Sequence, residues 1–333
     1  MVATTPLAGR KTVGIVIPVY NEEEALLAFH QLLCDALQPL PYTFSIYYVN
    51  DGSVDGSGDL LNRLARQDER VTVIELSRNF GHQAALTAGI DAAEGDYVIT
   101  LDGDGQHPPG LIPAMLDLAA AGYDLVLTQR EDELQGPAFK RQTASLFYRL
   151  INRMGETQVL PGGADFRLMS RTAVDGLKQM REYHRFVRGM VSWMGFRTVI
   201  LPYHPPERLA GQSKYTLRKM LRLAANAIFS FSLVPLYIGL SLGLLLLFLA
   251  LAEMVYVLSF WVTGNQHSLA PGWSSLMFVL LVIGGIVMIL LGFIGVYIGY
   301  IFQEVKRRPI YLVRQVVRPP GSQSHPAEPD QPL

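Results

Sequence analysis

The chain has 333 residues and a formal net charge of −1, so its overall charge does not indicate nucleic-acid binding. Half of its residues (50%) are hydrophobic and only 17% are charged, which departs from an ordinary soluble protein in the direction of a membrane protein. The single cysteine, Cys34, excludes an intramolecular disulfide and a cysteine-rich metal site, and we expect it to be a small core residue. Residues 1–11 lack an apolar core of signal-peptide length, so the first domain is expected to stay in the cytoplasm.

Short, continuously apolar runs alternate with amphipathic segments as far as residue 128. They predict strands at residues 13–18, 44–49, 71–76, 97–101 and 125–128, and helices at 22–37, 55–67, 82–93 and 109–121. This pattern predicts a mainly parallel sheet covered by helices on both faces. Ligands of such sheets bind beyond the carboxyl ends of the strands. Asn50-Asp51 and the pair Asp102 and Asp104 follow two of these strands and are therefore expected to share one crevice.

The segment Thr100-Leu-Asp-Gly-Asp-Gly-Gln-His107 carries the strongest chemical signal. Two carboxylates at this spacing, Asp102 and Asp104, suit Mg²⁺ or Mn²⁺ carrying a diphosphate, and Gln106 offers a further oxygen. Asp-Gly-Asp-Gly is also typical of an ordinary turn that binds no ligand. A lone histidine such as His107 is more often a hydrogen-bonded structural residue than a metal ligand.

Other polar positions allow two interpretations each. The segment Pro18-Val-Tyr-Asn-Glu-Glu23 replaces the Gly-x-Gly-x-x-Gly of a dinucleotide site and argues against redox chemistry. Asp51 suits a base or ribose, or an Asx-turn or helix cap. Asp165 is flanked by small residues, as a backbone near a ligand would need. The last set, Arg208, Ser213 and Lys214, suits binding of either phosphate groups or anionic lipid. For a lipid-phosphate substrate the two interpretations become one.

Residues 232–261 and 276–302 are nearly uncharged, and each is long enough to span a bilayer. Residues 262–275 between them contain no Lys or Arg, whereas basic residues flank the outer ends, so the positive-inside rule places both termini in the cytoplasm. Residues 215–231 form a basic amphipathic stretch suited to a membrane surface, and residues 139–154 suit that surface or a solvated helix on the sheet. Residues 319–333 are expected to be disordered.

Six motifs in order resemble the polyprenyl-phosphate glycosyltransferases of glycosyltransferase family 2. This family has the GT-A fold and includes dolichol-phosphate mannose synthases and two-span bactoprenol glucosyltransferases, which the present architecture resembles most. The resemblance covers roughly residues 11–308. Its motifs are Ile17-Pro-Val-Tyr-Asn-Glu22, Asn50-Asp-Gly-Ser-Val-Asp-Gly56, Leu76-Ser-Arg-Asn-Phe-Gly-His82, Leu101-Asp-Gly-Asp-Gly-Gln-His107, Gly163-Ala-Asp-Phe-Arg167 and Gly211-Gln-Ser-Lys-Tyr215.

The resemblance implies a role for each matching position. The nucleoside would be held by Pro18, Tyr20, Glu22 and Asp51, with Arg130 as a further donor-site residue. Asp102 and Asp104 would hold the donor diphosphate and the Mg²⁺ or Mn²⁺, with Gln106 as a further metal ligand and Asp102 also counted as catalytic. Asp165 would sit at the acceptor phosphate as the proposed base, and Arg208, Ser213 and Lys214 would bind phosphate groups. Many relatives have two acids where this chain has Asn50-Asp51, which we interpret as favouring the bactoprenol glucosyl branch.

The expected fold class is α/β: a cytoplasmic GT-A domain with a Rossmann-like, mainly parallel sheet, followed by two transmembrane helices. We expect the GT-A domain at residues 1–214 and a juxtamembrane amphipathic helix at 215–231. The two membrane helices with a short external loop would occupy residues 232–302, and a cytoplasmic basic segment with a disordered tail 303–333. The expected location is the inner cell membrane, as a multi-pass protein.

The expected reaction is inverting, metal-dependent transfer of glucose from UDP-glucose to a polyprenyl phosphate such as undecaprenyl phosphate. The same chemistry with GDP-mannose, UDP-N-acetylglucosamine or UDP-aminoarabinose stays open, as does a catalytically inactive, membrane-tethered binder of nucleotide sugar or lipid. A processive polysaccharide synthase would carry more spans and a Gln-x-x-Arg-Trp element, which this sequence lacks. The expected partners are the nucleotide sugar, the lipid phosphate and the membrane, without nucleic acid. The oligomeric state stays open, a homo-oligomer included.

Overall fold

A computed structural model describes residues 10–131, 160, 162–183, 185–206, 234–263 and 272–319. The chain divides into two units. The first, called the sheet domain below, comprises Met1–Arg149, Thr157–Thr216 and Pro309–Leu333, and the second, the helical unit, comprises Leu150–Glu156 and Leu217–Arg308. The C-terminal segment after the last long helix therefore belongs with the sheet.

In the first part of the sheet domain, strands and helices alternate as the apolar pattern predicts. The elements are β1 (Thr12–Val19), α1 (Glu23–Leu37), β2 (Thr43–Asn50), α2 (Ser57–Gln67), β3 (Val71–Leu76), α3 (His82–Ala92), β4 (Tyr97–Thr100), a 3₁₀ turn (Pro109–Leu111), α4 (Ile112–Ala120) and β5 (Leu125–Arg130). Every strand and helix predicted up to residue 128 is confirmed, with ends shifted by a few residues.

The sequence did not predict the other elements that the structure describes in the sheet domain. They are β6 (Gly163–Ser170), α5 (Arg171–Gln179), α6 (Val187–Trp193), β7 (Thr198–Tyr203) and β8 (Val313–Val317). In the helical unit, α7 spans Val234–Val262 and α8 spans Trp273–Val305.

The eight described strands form one sheet in the order β7-β5-β6-β4-β1-β2-β3-β8. Strands β1, β2, β3 and β4 pair in parallel, as do β5 and β7, whereas β6 is antiparallel to both β4 and β5. The α/β fold class with a mainly parallel, GT-A-like sheet is thus confirmed, and the sheet is mixed because of β6 and β8. The antiparallel β6 matters for the site, because it begins where β4 and β5 end.

The core explains why the first strands are apolar at consecutive positions. On one face of β1, Ile15 and Ile17 belong to a cluster that includes Phe29 and Leu33 of α1. On the other face, Val16 lies against Gly89 of α3. A parallel strand buried on both faces needs apolar residues along its whole length.

The helical unit contains the two long helices expected for the membrane part. Helix α7 has 29 residues and α8 has 33. Among the described residues, one candidate membrane span is found by length and composition, Val282–Val305 within α8, with a mean hydropathy of 2.5. Two long helices form where two spans were predicted. That both of them cross a membrane stays a prediction. The amphipathic stretches predicted at residues 139–154 and 215–231 lie outside the described residues.

Strand β8 closes the sheet edge beside β3, where the sequence indicated only a basic segment. Val317 lies opposite Val73 and Gln315 opposite Glu75 in an antiparallel pair. The Gln315 Nε2 donates to Glu75 Oε2 at 2.8 Å, and the Tyr311 hydroxyl donates to Asp91 Oδ2 at 2.8 Å. Residues that follow the last helix thus complete the hydrogen bonding of the sheet domain.

We expect Gly89→Ala to destabilise the sheet domain. A Cβ at this position would lie 2.2 Å from Val16 Cγ1 and 3.0 Å from Val49 Cγ2. Overpacking of this kind costs about 1–3 kcal/mol, which outweighs the gain in helix propensity of about 1 kcal/mol. The measurement is the apparent Tm in detergent. Gly110→Ala is the control, because no atom lies within 4 Å of its Cβ position, and it should leave the Tm nearly unchanged. A Tm for Gly89→Ala at or above that of the wild type would contradict this packing.

Candidate active site

The loop after β4 presents its oxygen atoms on one side. Exposure alternates along it: the half-buried residues are Asp102, Asp104 and Gln106, and the buried ones are Gly103, Gly105 and His107. The backbone N–H of Gln106 donates to Asp104 Oδ1 at 3.0 Å, and Gly105 has a φ of 81°, which together make the loop turn tightly. The predicted metal-ligand set therefore shares the open side of one short loop.

His107 fixes the shape of this loop from the inside. Its Nδ1 accepts the backbone N–H of Asp102 at 2.8 Å, and its ring stacks on Phe166 with centroids 5.5 Å apart. Burial lowers the pKa of His107, so the ring is neutral and Nδ1 is free to accept. The role of His107 was left open by the sequence, and in the structure it is a hydrogen-bonded residue that supports the loop.

Strand β6 brings Asp165 to the same edge of the sheet. The Thr100 side chain, at the end of β4, donates to the Asp165 carbonyl oxygen at 2.6 Å, and Thr100 lies opposite Arg167 in the antiparallel pair. Because β6 runs against β4, the first residues of β6 lie where β4 ends. Asp165 and Asp102 are 63 positions apart in sequence numbering, yet this topology places both at the carboxyl edge.

Asp165 is a buried carboxylate held by cations. It pairs with the guanidinium of Arg167, and Arg188 of α6 donates through Nε to Oδ1 at 3.2 Å and through Nη2 to Oδ2 at 3.1 Å. Burial alone would raise the pKa of Asp165, but Arg188, Arg167 and His82 hold that pKa well below its usual value. The carboxylate is therefore ionised at neutral pH, and a group of such low pKa takes up a proton poorly.

His82, the first residue of α3, connects the two acidic groups. Its Nε2 lies 3.5 Å from Asp102 Oδ1 and 3.4 Å from Asp165 Oδ2. Partial desolvation lowers the pKa of His82, whose side chain is 41% exposed, but the charges of Asp102 and Asp165 more than offset this effect and raise the pKa to about 9. At neutral pH the imidazolium therefore bridges the loop after β4 and the Asp165 cluster.

At the end of β2, Asp51 holds two loops together. Its carboxylate accepts the backbone N–H of Phe80 at 2.7 Å and that of Gly81 at 2.9 Å. The neighbouring Asn50 stabilises the turn after β2, because its Oδ1 accepts the Ser53 N–H at 3.0 Å. Nucleoside binding by Asp51 stays a prediction, and its carboxylate also holds the loop before α3 in place.

The other predicted nucleoside residues lie at the end of β1. Pro18 is within the strand, opposite Val49, whereas Tyr20 is exposed and Glu22 half-buried in the turn that follows. This turn is joined to the start of α2, since the backbone N–H of Glu22 donates to Ser57 Oγ at 3.0 Å. The structure thus places all four predicted nucleoside residues at the carboxyl ends of β1 and β2.

Arg130, the last residue of β5, contacts the loop after β4. Its Nη1 donates to Gln106 Oε1 at 3.4 Å, so a predicted donor residue and a predicted metal ligand are in contact. The three predicted phosphate-binding residues, Arg208, Ser213 and Lys214, lie outside the described residues.

Sequence reasoning did not assign roles to several residues of the site. Arg188 lies outside the quoted motifs, and it pairs with Asp165 only because α6 positions it beside that carboxylate. His82 and Arg167 lie within quoted motifs, and their presence in those motifs was the signal available for them.

The donor set fits a hard divalent cation. Asp102, Asp104 and Gln106 supply carboxylate and amide oxygens only, which Mg²⁺ and Mn²⁺ prefer. The carboxylates are half-buried and so remain accessible to an ion and to phosphate oxygens.

Comparison with known proteins identifies the class of this protein. Residues 14–177 match the family model described as Glycosyl transferase family 2. The chain belongs to this family and is a glycosyltransferase.

Relatives match along most of their length. An uncharacterized glycosyltransferase, YkcC, of Bacillus subtilis (strain 168) is 41% identical over 305 residues, covering 91% of this chain and 93% of that one. The SfII prophage-derived bactoprenol glucosyl transferase of Shigella flexneri is 38% identical over 307 residues, covering 91% and 97%. The resemblance to bactoprenol glucosyltransferases is thereby confirmed.

Two solved structures share part of the fold at low identity. Mannosyl-3-phosphoglycerate synthase from Rubrobacter xylanophilus has a TM-score of 0.46 and 17% identity, covering 66% of this chain and 72% of that one. Glucosyl-3-phosphoglycerate synthase from Mycobacterium tuberculosis, solved with Mn²⁺, UDP-glucose and phosphoglyceric acid, has a TM-score of 0.42 and 17% identity, covering 66% and 78%. At this similarity they carry no functional argument.

The bridging His82 predicts a pH-dependent stability. Its pKa is raised from 6.5 to about 9, so its ion pairs contribute fully below pH 6.5 and are lost as the pH rises through about 9. In EDTA buffer, the Tm difference between wild type and His82→Gln should be largest at the acidic end of this window and shrink toward its alkaline end. His204 gives the control variant, His204→Gln: its Nε2 lies 2.7 Å from Glu131 Oε2, but its side chain is 72% exposed, so this surface ion pair should give only a small difference at acidic pH. A His82→Gln difference that grows with pH would rule out the imidazolium bridge.

Proposed function

We propose that this protein transfers glucose from UDP-glucose to a polyprenyl phosphate, such as undecaprenyl phosphate, with inversion and with the help of a divalent metal ion. The observation that carries the proposal is the continuous charged site in which His82 joins Asp102 of the oxygen-rich loop to Asp165 and its arginines. The choice of lipid acceptor and sugar is supported by the relatives named bactoprenol glucosyl transferase, which match 91% of this chain.

For the donor, we assign the loop after β4 to the diphosphate and the turns after β1 and β2 to the nucleoside. Asp102, Asp104 and Gln106 would hold Mg²⁺ or Mn²⁺, and Arg130 at Gln106 would add positive charge beside the diphosphate. The bound ion would stabilise the negative charge that develops on the nucleoside diphosphate as it leaves. The nucleoside would be bound by Pro18, Tyr20, Glu22 and Asp51, of which Tyr20 is exposed toward solvent.

For the acceptor, we assign the cluster around Asp165. A phosphate monoester has a second pKa of about 6, so its attacking oxygen is largely ionised at neutral pH and needs little help from a base. This oxygen attacks the anomeric carbon as the bond to the nucleoside diphosphate breaks, and the configuration inverts. Arg188 is 36% exposed and offers positive charge to the phosphate, and Asp165 orients Arg188 and His82 rather than removing a proton. Arg208, Ser213 and Lys214 would complete the phosphate site.

A lipid acceptor requires the catalytic domain to work at a membrane surface. We propose that α7 and α8 both span the inner membrane, with both termini in the cytoplasm. The support is their length, 29 and 33 residues, against the roughly 20 residues that a span needs, together with the candidate span inside α8.

The transferase assay tests the proposal directly. Purified protein in detergent, given labelled UDP-glucose and undecaprenyl phosphate, should form one lipid-linked product with Mg²⁺ or Mn²⁺ and none with EDTA. Asp104→Asn should lower kcat by about 100-fold or more, because it removes charge at the leaving group. Asp117→Asn, on the exposed face of α4, is the matched control and should retain wild-type activity.

Assays with other nucleotide-sugar donors distinguish the possible outcomes. Transfer from GDP-mannose, UDP-N-acetylglucosamine or UDP-aminoarabinose, but not from UDP-glucose, would keep the reaction and change the sugar. An absence of transfer from every donor in folded protein would refute the proposal and favour an inactive binder.

The positioning role of Asp165 predicts a particular pH profile. Asp165→Asn should lower kcat/KM for the lipid phosphate by about 100-fold, because Arg188 and His82 lose their shared partner. The acidic limb of the remaining activity should keep its wild-type position, since the acceptor phosphate and not Asp165 titrates there. If the variant instead loses an acidic limb that the wild type shows, Asp165 is the base. Arg188→Lys, which keeps the charge, should be less impaired than Arg188→Gln.

A further inference from the structure

A second group of potential metal ligands lies on the other side of the sheet domain from the candidate active site. His30 and Cys34 are four residues apart on α1, so they share a face of the helix, and Asp68 follows the end of α2. His30 Nε2 lies 3.6 Å from Cys34 Sγ and 3.7 Å from Asp68 Oδ2, and Cys34 Sγ lies 3.9 Å from Asp68 Oδ2. We call these three residues the α1–α2 cluster.

The topology separates this cluster from the loop that holds Asp102. Asp68 lies just before β3, at the amino ends of the parallel strands, and His30 and Cys34 lie in the second half of α1, which returns toward those ends. The oxygen-rich loop follows the carboxyl end of β4. An ion in the α1–α2 cluster would therefore be independent of the nucleotide-sugar site.

The spacing of the three ligand atoms suits a tetrahedral ion. With zinc bond lengths of about 2.0–2.3 Å to nitrogen, oxygen and sulfur, neighbouring ligand atoms in a tetrahedral site lie roughly 3.3–3.6 Å apart. The observed separations of 3.6, 3.7 and 3.9 Å need only small rotamer adjustments to reach this geometry. The ligand set of one thiol, one imidazole and one carboxylate is of the kind that borderline-soft cations select.

The surroundings prepare the ligands for an ion. His30 Nδ1 is paired with the hydroxyl of buried Tyr48 at 3.0 Å, which leaves Nε2 facing Cys34 and Asp68. Such a partner on the second ring nitrogen is the usual support of a metal-binding histidine. Cys34, expected to be a small core residue, is half-buried. His30 and Asp68 line a surface pocket, so two of the three ligands open toward solvent.

A positive charge already occupies the side of the cluster that an ion would take. Arg70 Nη2 lies 2.6 Å from Asp68 Oδ2 and donates to Cys34 Sγ at 3.1 Å. The Arg70 side chain is 37% exposed and lines the same pocket, so it can turn outward once an ion displaces its hydrogen bonds to Cys34 and to the Asp68 carboxylate.

We propose that His30, Cys34 and Asp68 form a binding site for a divalent cation of the Zn²⁺ class, which replaces the guanidinium of Arg70. Water from the pocket supplies the fourth ligand. Binding releases the Cys34 thiol proton to solvent as the metal–thiolate bond forms. The ion joins α1 to the end of α2, and because it binds only the folded arrangement it stabilises the sheet domain.

Cobalt is the probe, and the single cysteine makes its signal unambiguous. Co²⁺ added to the full-length protein in detergent should produce a thiolate-to-cobalt charge-transfer band with one equivalent bound, and Zn²⁺ should abolish the band. Zn²⁺ should also slow the reaction of Cys34 with a thiol reagent. Since Cys34 is the sole cysteine of the chain, both signals report on this site alone.

Variants that keep Cys34 test the other ligands. His30→Gln and Asp68→Asn should each weaken Co²⁺ affinity by at least about tenfold. Asp35→Asn, an exposed acid next to Cys34, is the matched control and should keep the affinity. Asp104→Asn should keep the band, because the loop after β4 offers only oxygen ligands and no thiolate. Arg70→Gln should bind Co²⁺ at least as tightly as the wild type, since the competing cation is gone.

Three results would overturn the proposal. One is the absence of a charge-transfer band and of any Zn²⁺ effect on thiol reactivity at saturating metal. Another is equal loss of affinity in Asp35→Asn and Asp68→Asn. The third is weaker binding by Arg70→Gln, which would show that Arg70 supports the cluster and does not exchange with an ion.

Discussion

The candidate site depends on one buried carboxylate, Asp165, which lies deep in the sheet domain and is ionised. A buried charge is tolerated only when it is paired and hydrogen-bonded, and here Arg167, Arg188 and His82 supply the compensation. Each partner comes from a different element, β6, α6 or α3. Pairing with one carboxylate therefore fixes the relative positions of these elements and orients the cations that face the crevice.

The fold up to β5 could be predicted because its strands are buried on both faces and so read as continuous apolar runs. Later strands lack that signal. In β7 exposed and half-buried residues alternate, and β8 is a mostly exposed Val-Arg-Gln-Val-Val whose partner β3 lies more than 200 residues earlier in the chain. Pairing with so distant a segment is a tertiary property, which local periodicity does not encode.

The same distinction applies to the site. Asp102, Asp104 and Gln106 are close in sequence, and the parallel sheet brings them near Asp51, so their convergence followed from strand order alone. Arg188 and His82 contact Asp165 because of helix packing and because β6 is antiparallel to its neighbours. The sequence motifs indicated neither feature. Asp51 shows a further limit, because its carboxylate binds two backbone N–H groups and thereby shapes the loop that carries His82.

The two groups of ligands in the sheet domain differ in chemistry, and this difference decides which ion each would hold. The loop after β4 offers carboxylate and amide oxygens with open positions, which suits an ion that must also accept phosphate oxygens and exchange with each turnover. The α1–α2 cluster offers sulfur and nitrogen and joins two helices that pack on the core, which suits a tightly held ion. Because α1 also supplies Phe29 and Leu33 to the core beneath β1, an ion that holds α1 in place would steady the strand whose carboxyl end carries the predicted nucleoside residues.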